Sequence, residues 1–192
     1  MSNSERLKEE ELHELEDRKM FLMTSPPQFR GNMDPIEVFD WIMEMENAFD
    51  ICKCSDDRKV LYASFMLRGN ALYWWNMIKE SRGKETLMSM SWDQFKELVN
   101  KNYILESQIR SLQEESEYLQ QGAESVQEYT VKFNKYLRFG TINTDTENRK
   151  IKRFIRGLDC RIRGRVEKAN PKTFEEVVQQ AEVAKKALNS FY

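Results

Sequence analysis

Residues 67–80 read LRGNALYWWNMIKE, and the adjacent Trp74 and Trp75 decide how the chain folds. Successive residues on a helix point about 100° apart, so two neighbouring indoles cannot share one narrow seam. Either one ring stands exposed as a binding anchor, or the helix is buried over a wide face. Ala71, Leu72, Trp75 and Ile78 line one side, and Trp74 shares its side with Ala71, Met77 and Ile78. The two sides merge into an apolar arc that leaves Asn70, Asn76 and Lys79 for water. This predicts a central helix packed on more than one side, with both indoles interior. A buried indole removes about 150–250 Å² from water, worth roughly 4–6 kcal/mol gross, which helps a small lobe offset a limited core.

Outward from this segment, helix signals dominate. Asp34-Pro35 supplies an N-cap followed by proline at the first helical position, with Glu37 completing a box-like pattern. Ile36, Phe39, Ile42, Met43 and Phe49 make the following apolar stripe, widened by Val38, Trp41 and Met45. A helix carrying Val60, Leu61, Phe65 and Met66 follows and is expected to stop at Gly69. Ser91-x-x-Gln94, Ser125-x-x-Glu128, Thr144-x-x-Glu147 and Thr173-x-x-Glu176 have the form of capping boxes, each leading into apolar residues at helical spacing. Gly122 and Gly140 are expected to close the helices before them. The segment 159–171, DCRIRGRVEKANP, is a short helix or turn. No comparable run alternates with period two. The fold class is therefore all-α, with about nine helices and no substantial sheet. A change of character after Leu105, from dense apolar runs to a polar helix with sparse anchors, marks a lobe boundary. Residues 1–27 form an acidic, helix-prone arm and proline linker, with Leu7, Leu15 and Leu22 on one stripe. Glutamates crowd the rest of it, so the arm is expected to order against a partner.

Composition excludes several classes. The chain has 192 residues, 40% hydrophobic and 32% charged, with a formal net charge of −2, which suits one domain or two small lobes. No run approaches the roughly 18 apolar residues of a membrane span, and residues 1–20, acidic and polar, are not expected to act as a secretory signal. Three cysteines, Cys52, Cys54 and Cys160, fit reduced thiols in a cytoplasmic location. Cys52-x-Cys54 is too tight for the usual redox or zinc turn. The single histidine, His13, precedes every cysteine, so a Cys-Cys-His-Cys zinc knuckle cannot lie in this chain. Nucleotide-binding glycine loops and an Asp-Thr-Gly motif are missing, and a histidine-based triad would have to use His13 in the polar arm. No catalytic, cofactor-binding or metal-ligating residue is assigned, and an enzyme is not expected.

The order of several segments is similar to that of a known family. FRGNMDPIEVFDWIMEMENAFD (29–50), DDRKVLYASFMLRGNALYWW (56–75) and SWDQFKELVNKNY (91–103) resemble the capsid region of Gag polyproteins from gypsy-type long-terminal-repeat retrotransposons. So do YLQQGAESVQEYTVKFNKYL (118–137), FIRGL (154–158) and PKTFEEVVQQAEVA (171–184). The signature positions are Phe29, Trp41, Gly69, Ala71, Trp74, Trp75, Trp92, Phe95, Gly122 and Tyr129. Ile104-Leu105 departs from the pattern, since many relatives carry an aromatic residue and proline at the lobe junction. The resemblance implies two all-α lobes of the retroviral capsid type, an amino-terminal one over 28–104 and a carboxy-terminal one over 105–190. It further implies a structural protein that self-associates into virus-like, capsid-like particles packaging the element's RNA. The alternative is a domesticated, Arc-like host protein whose amino-terminal lobe binds hydrophobic peptides or acts as a scaffold. Met43 and Met45 would suit an adaptable groove.

Charge is unevenly spread. Residues 1–20 hold seven acids and four bases, net −3. Between Arg149 and Lys168 stand nine bases (Arg149, Lys150, Lys152, Arg153, Arg156, Arg161, Arg163, Arg165 and Lys168) against Asp159 and Glu167, net +7. Such a stripe is a candidate contact for RNA phosphates or another polyanion, without base specificity. No aromatic platform accompanies it beyond Phe154, which belongs to the apolar stripe, so stacking on single strands is not expected.

Overall fold

A computed structural model describes residues 3–83, 89–137 and 146–189, with side chains described from Leu12 onward. Ten helices run through these residues, and the chain divides into two compact units, Met1–Leu105 and Glu106–Tyr192. Among the described residues the β content is one isolated parallel bridge, Phe29 with Leu67.

The first unit holds α1 (Asn3–Met23), α2 (Pro35–Ile51), α3 (Asp56–Phe65), α4 (Gly69–Arg82) and α5 (Trp92–Tyr103). The end of α1 is set by its own chemistry. Thr24 and Ser25 donate their amides to Phe21 and Leu22, Ser25 turns left-handed at φ 54, and Pro26-Pro27 follows. The last turn of this arm is not waiting for a foreign partner. Phe21 is buried between the rings of Phe49 and Tyr62, at centroid distances of 5.8 and 4.9 Å. Residues 26–34 then run without helix as a strap. Phe29 donates its amide to Met66, accepts one from Arg68, and stacks on Trp41 at 5.1 Å. The Trp41 indole N–H donates to Pro27 O at 3.0 Å.

Asp34 caps α2 through Ile36 N, 2.9 Å, with Pro35 at the first position. Glu37 does not close a box; its carboxylate accepts from Asn32 instead. The buried stripe of α2 is Val38, Trp41, Ile42, Met45, Ala48 and Phe49, rotated from the stripe expected through Ile36, Phe39 and Met43. Both stripes have helical spacing; the strap and α5 select the one that carries Trp41. Gly69 does not stop α3, which ends at Phe65 with Met66 as C-cap. It opens α4 instead, at φ +52, where the strap returns past the chain.

The two tryptophans are both interior, Trp74 at 8% and Trp75 at 4% exposure. Their solution to the 100° problem is to spread along one partner helix. Trp74 meets Tyr103 edge-on at 5.3 Å and Trp75 meets Phe95 at 5.1 Å, two positions eight residues apart on α5. The arc around α4 is narrower than expected, because Leu72, Tyr73 and Met77 face solvent. Ser91 and Gln94 close a complete capping box on α5.

The second unit holds α6 (Glu106–Glu117), α7 (Val126–Leu137), α8 (Glu147–Gly157), α9 (Cys160–Ala169) and α10 (Phe174–Asn189). Tyr129, Phe133, Phe154 and Phe174 interlock at its centre with ring centroids 4.7–6.0 Å apart. The Ser125–Glu128 box forms, while at the start of α10 Glu176 reaches past Thr173 to accept from Lys172 N. Thr146, not Thr144, caps α8 by accepting from Arg149 N. Gly140 and Thr144 lie outside the described residues, as does the side chain of Leu7. The helix expected to close at Gly122 ends at Glu117, and Gly122 lies in the following turn at φ +55.

Gln121 explains why a polar residue sits in the QG signature. It is buried, its amide N–H donates to Gly157 O at 2.8 Å, and its side chain joins Glu124 O to Asp159 N. Tyr129 donates its hydroxyl to Phe154 O, and burial pushes its pKa up to about 12. A methyl group on Gly157 would lie 2.1 Å from that hydroxyl oxygen and 2.7 Å from Leu119 O. Gly157 is therefore required for close approach.

Two contrasts test this packing by urea denaturation. Trp75→Ala is expected to cost about 3–5 kcal/mol, and Tyr73→Ala, two residues away and exposed, at most roughly 0.5. Gly157→Ala is expected to cost about 1–3 kcal/mol by overpacking. Gly164→Ala, on α9 with nothing within 4 Å of its new methyl, is expected to be neutral or stabilising by roughly 0.5–1 kcal/mol.

Candidate functional site

The nine cations between Arg149 and Lys168 do not form one surface. Helical spacing sorts them. Arg149, Lys152 and Arg156 fall at i, i+3 and i+7 on the solvent side of α8, and all three are exposed. Arg161, Arg165 and Lys168 fall at i, i+4 and i+7 on α9 and are also exposed. Lys150 and Arg163 are half-buried. The Lys150 ammonium lies 3.8 Å above the Phe174 ring, and Arg163 donates to Leu158 O.

Arg153 is a correction to the proposed contact set. It is buried, and its guanidinium donates to Ser116 O and to Glu117 O, the last carbonyls of α6. A cation at a helix C-terminus satisfies carbonyls that have no partner in their own helix and meets the negative end of the helix dipole. Burial pulls its pKa below the ordinary guanidinium value. Arg156 adds a longer bond to Glu117 O, 3.5 Å. Arg153 thus fastens α6 to α8 and cannot reach a polyanion. Helical spacing carries no signal for this: Arg153 lies about 200° from Ile151, on the side away from the Ile151-Phe154-Ile155 stripe, and it is buried because the end of α6 packs over it.

Asp159 organises the corner between α8 and α9. It caps α9 through Arg161 N at 3.0 Å and is gripped by the Arg161 guanidinium, with Lys185 3.5 Å away. The hydrogen bond from Arg161 holds its carboxyl well below the usual range, with further help from Arg161 N and the Lys185 charge, against opposing burial. One of the exposed cations is therefore partly neutralised in place.

In the first unit, Met45 is fully buried in the core, so it cannot line a groove, while Met43 is 46% exposed. A shallow cavity of about 290 Å³ lies where the strap crosses α2, bordered by Pro27, Phe29, Arg30, Asp40, Trp41 and Glu44. Cys52 and Cys54 are half-buried, and burial raises both thiols, Cys54 to about 12. Such thiols are poor nucleophiles. Among the described residues no group of three or more His, Cys, Asp and Glu side chains is arranged to hold a metal ion. No described helix is long and apolar enough to cross a membrane. Of the ten signature positions, eight are buried, and the other two are Gly69 and Gly122, both at positive φ. The signature therefore describes the interior and the turns of the fold, not an exposed site.

A family model for the Ty3 transposon capsid-like protein matches residues 15–190. The chain belongs to that family. The match takes in most of both units, and with the all-helical architecture it bears out the likeness to gypsy-type Gag capsids and points to a structural protein. A solved structure similar to this chain is the dARC1 capsid domain dimer, at 15% identity, covering 84% of this chain and 95% of that one, with a TM-score of 0.37. No curated protein matches the chain.

The corner aspartate gives a pH test. Its folded pKa is depressed, so its contribution is present above the unfolded value of about 4 and is lost as pH falls below it. Asp159→Asn keeps a competent N-cap but removes the charge. It is expected to be less stable than the parent at pH 7 and to converge with it in thermal melts toward pH 2.

Proposed function

We propose that the chain is a Gag-type capsid subunit that self-associates into capsid-like particles and packages RNA, in a cytoplasmic setting. The family match over residues 15–190 carries this reading, because it spans both units rather than one helical motif. A closed shell needs ring-forming heterologous contacts and a two-fold contact between rings. We assign the rings to the amino-terminal lobe, 28–104, and the two-fold contact to the carboxy-terminal lobe, 105–190. The exposed cations of α8 and α9 are the RNA-facing groups, holding phosphates by charge and not reading bases. Lys150, Arg153 and Arg163 are outside that set, since each is turned toward the protein.

The second reading, an Arc-like domesticated module that binds hydrophobic peptides, is favoured by one observation. The cavity at the strap has an apolar floor of Phe29 and Trp41 beneath a rim carrying Arg30, Asp40 and Glu44. A peptide lying there would be held by its side chains in the cavity and its charges at the rim.

Electron microscopy and sedimentation of concentrated protein, with and without single-stranded RNA, separate these readings. Particles that form with concentration and incorporate RNA support the capsid subunit. A persistent monomer that captures short apolar peptides in calorimetry supports the module. For the RNA contact, affinity is expected to fall steeply with salt, with a logarithmic slope of about −0.7 per phosphate neutralised. Lys152→Glu with Arg165→Glu is expected to flatten that slope, and Arg153→Met is expected to destabilise the second unit. Binding that stays level from low to high salt would overturn the assignment.

A further inference from the structure

Arg153 has an unfinished set of bonds. Its side chain is 8% exposed, its Nη2 donates to Ser116 O and Glu117 O, and its Nε is buried without a partner. The edge of a guanidinium made by Nε and Nη2 is a planar fork that matches two oxygens of one carboxylate or phosphate. Here two neutral carbonyls share Nη2, and Nε is left empty.

What closes this edge off is α6, and α6 is lightly held. Ser116 is its one buried residue, while Ile109 and Leu112 are half-buried. Polar fastenings come from Tyr136, whose hydroxyl donates to Glu115, and from Arg156, which reaches Glu117 O at 3.5 Å. Arg156, one turn beyond Arg153, also belongs to the exposed stripe with Arg149 and Lys152. The chain after α6 is fixed independently, because Gln121 bonds Gly157 O and Asp159 N. Lifting α6 therefore leaves the aromatic centre of this unit packed.

Electrostatics set α6 and a bound phosphate against each other. The negative end of the α6 dipole lies at Arg153 and Arg156, and Glu114, Glu115 and Glu117 stand in its last turn. A phosphate drawn to Arg156 by the stripe meets those negative groups at close range. With α6 lifted, its last carbonyls pass to water and the arginine fork is open to an anion.

We propose that the C-terminal turn of α6 and the phosphodiester backbone of RNA are competing occupants of Arg153 and Arg156, so that α6 covers a phosphate site which RNA binding opens. This deepens the RNA-contact reading above and rests on it. With α6 docked, Arg153 is out of reach; with α6 lifted, it becomes a further phosphate contact beside Arg149, Lys152 and Arg156. Linkage makes the effect reciprocal, so whatever loosens α6 tightens RNA binding by the same factor.

Hydrogen–deuterium exchange of the full chain, read by mass spectrometry with and without single-stranded oligouridylate at low salt, tests the competition. Binding is expected to speed exchange across Glu106–Glu117 by roughly tenfold or more, with α7 and α10 unchanged. Tyr136→Phe removes the hydroxyl that holds Glu115 and leaves the charge unaltered. It is expected to speed α6 exchange in the free chain and to tighten oligouridylate binding by the same factor, roughly two- to fivefold. Arg153→Lys keeps the charge without the fork and is expected to bind more weakly than Tyr136→Phe. Exchange in α6 that is unchanged or slower with oligouridylate bound overturns the proposal while the salt-dependent contact stands. So does a Tyr136→Phe affinity that fails to follow its exchange, or an Arg153→Lys chain that binds as tightly as Tyr136→Phe. If oligouridylate binding is absent or level with salt, the RNA reading itself fails.

Discussion

Neither unit is large, and the constraint that shapes both is how to bury enough apolar surface with about a hundred residues or fewer. Small domains bury a smaller fraction of their surface than large ones, so each residue in the core must contribute more. Both units meet this with fused aromatic clusters. In the first, Trp41, Trp74, Trp75, Phe95 and Tyr103 touch one another across three helices and the strap, and Phe29 joins them from the strap itself. In the second, Tyr129, Phe133, Phe154 and Phe174 do the same across three helices. Large rings bring area, but they also bring polar atoms that must be satisfied. Trp41 finds Pro27 O, Trp92 finds Glu46, and Tyr129 finds Phe154 O. Each of those bonds ties the cluster to a different stretch of chain, so the aromatic core also sets the paths of the loops.

That coupling explains what was legible in the sequence. Periodicity places helices well because it depends on residues within one turn, and the capping boxes at Ser91 and Ser125 are equally local. Errors occur where two local solutions compete and a distant contact decides. On α2, stripes through Ile36, Phe39 and Met43 or through Val38, Trp41 and Met45 both satisfy helical spacing. The second wins because Trp41 bonds Pro27 and stacks under Phe29, which no local pattern announces. Gly69 is similar. A glycine after an apolar run has the form of a helix stop, but here its positive φ serves the chain reversal into α4, where the strap passes alongside. The neighbouring tryptophans are readable as interior, but the means by which α5 receives both, through Phe95 and Tyr103, is a tertiary fact.

The basic segment shows the same limit in electrostatic form. Net charge is a property of composition; a surface is a property of register. Among nine cations in twenty residues, the packed end of α6 covers Arg153 and the Phe174 ring takes Lys150, while two stripes of three face water. Arg153 has a structural consequence of its own. α6 places no fully buried apolar side chain in the second core, since its sole buried residue is Ser116. Its attachment therefore leans on the arginine at its C-terminal carbonyls and on the Tyr136 hydroxyl, which donates to Glu115. A helix held by polar fastenings at one end can be repositioned at lower cost than one welded in by a core, because water replaces hydrogen bonds more readily than it replaces apolar contacts.

Subunits of closed shells need interiors that are rigid and surfaces that bind weakly and repeatedly. The division of residues here suits that requirement, as the proposed capsid role asks. All four tryptophans, the strongest hot-spot formers, are spent on the interior. What remains outside is a scatter of leucine, methionine, valine and single tyrosine side chains with charged neighbours: Leu12, Leu15 and Leu22 on α1, Tyr73 and Met77 on α4, Tyr118 and Val131 in the second unit. Each such patch offers modest area beside charge, which gives register and reversibility more than affinity. In the proposed capsid role, many contacts of that kind, closed by symmetry, would add up to a stable particle while each stayed correctable during growth.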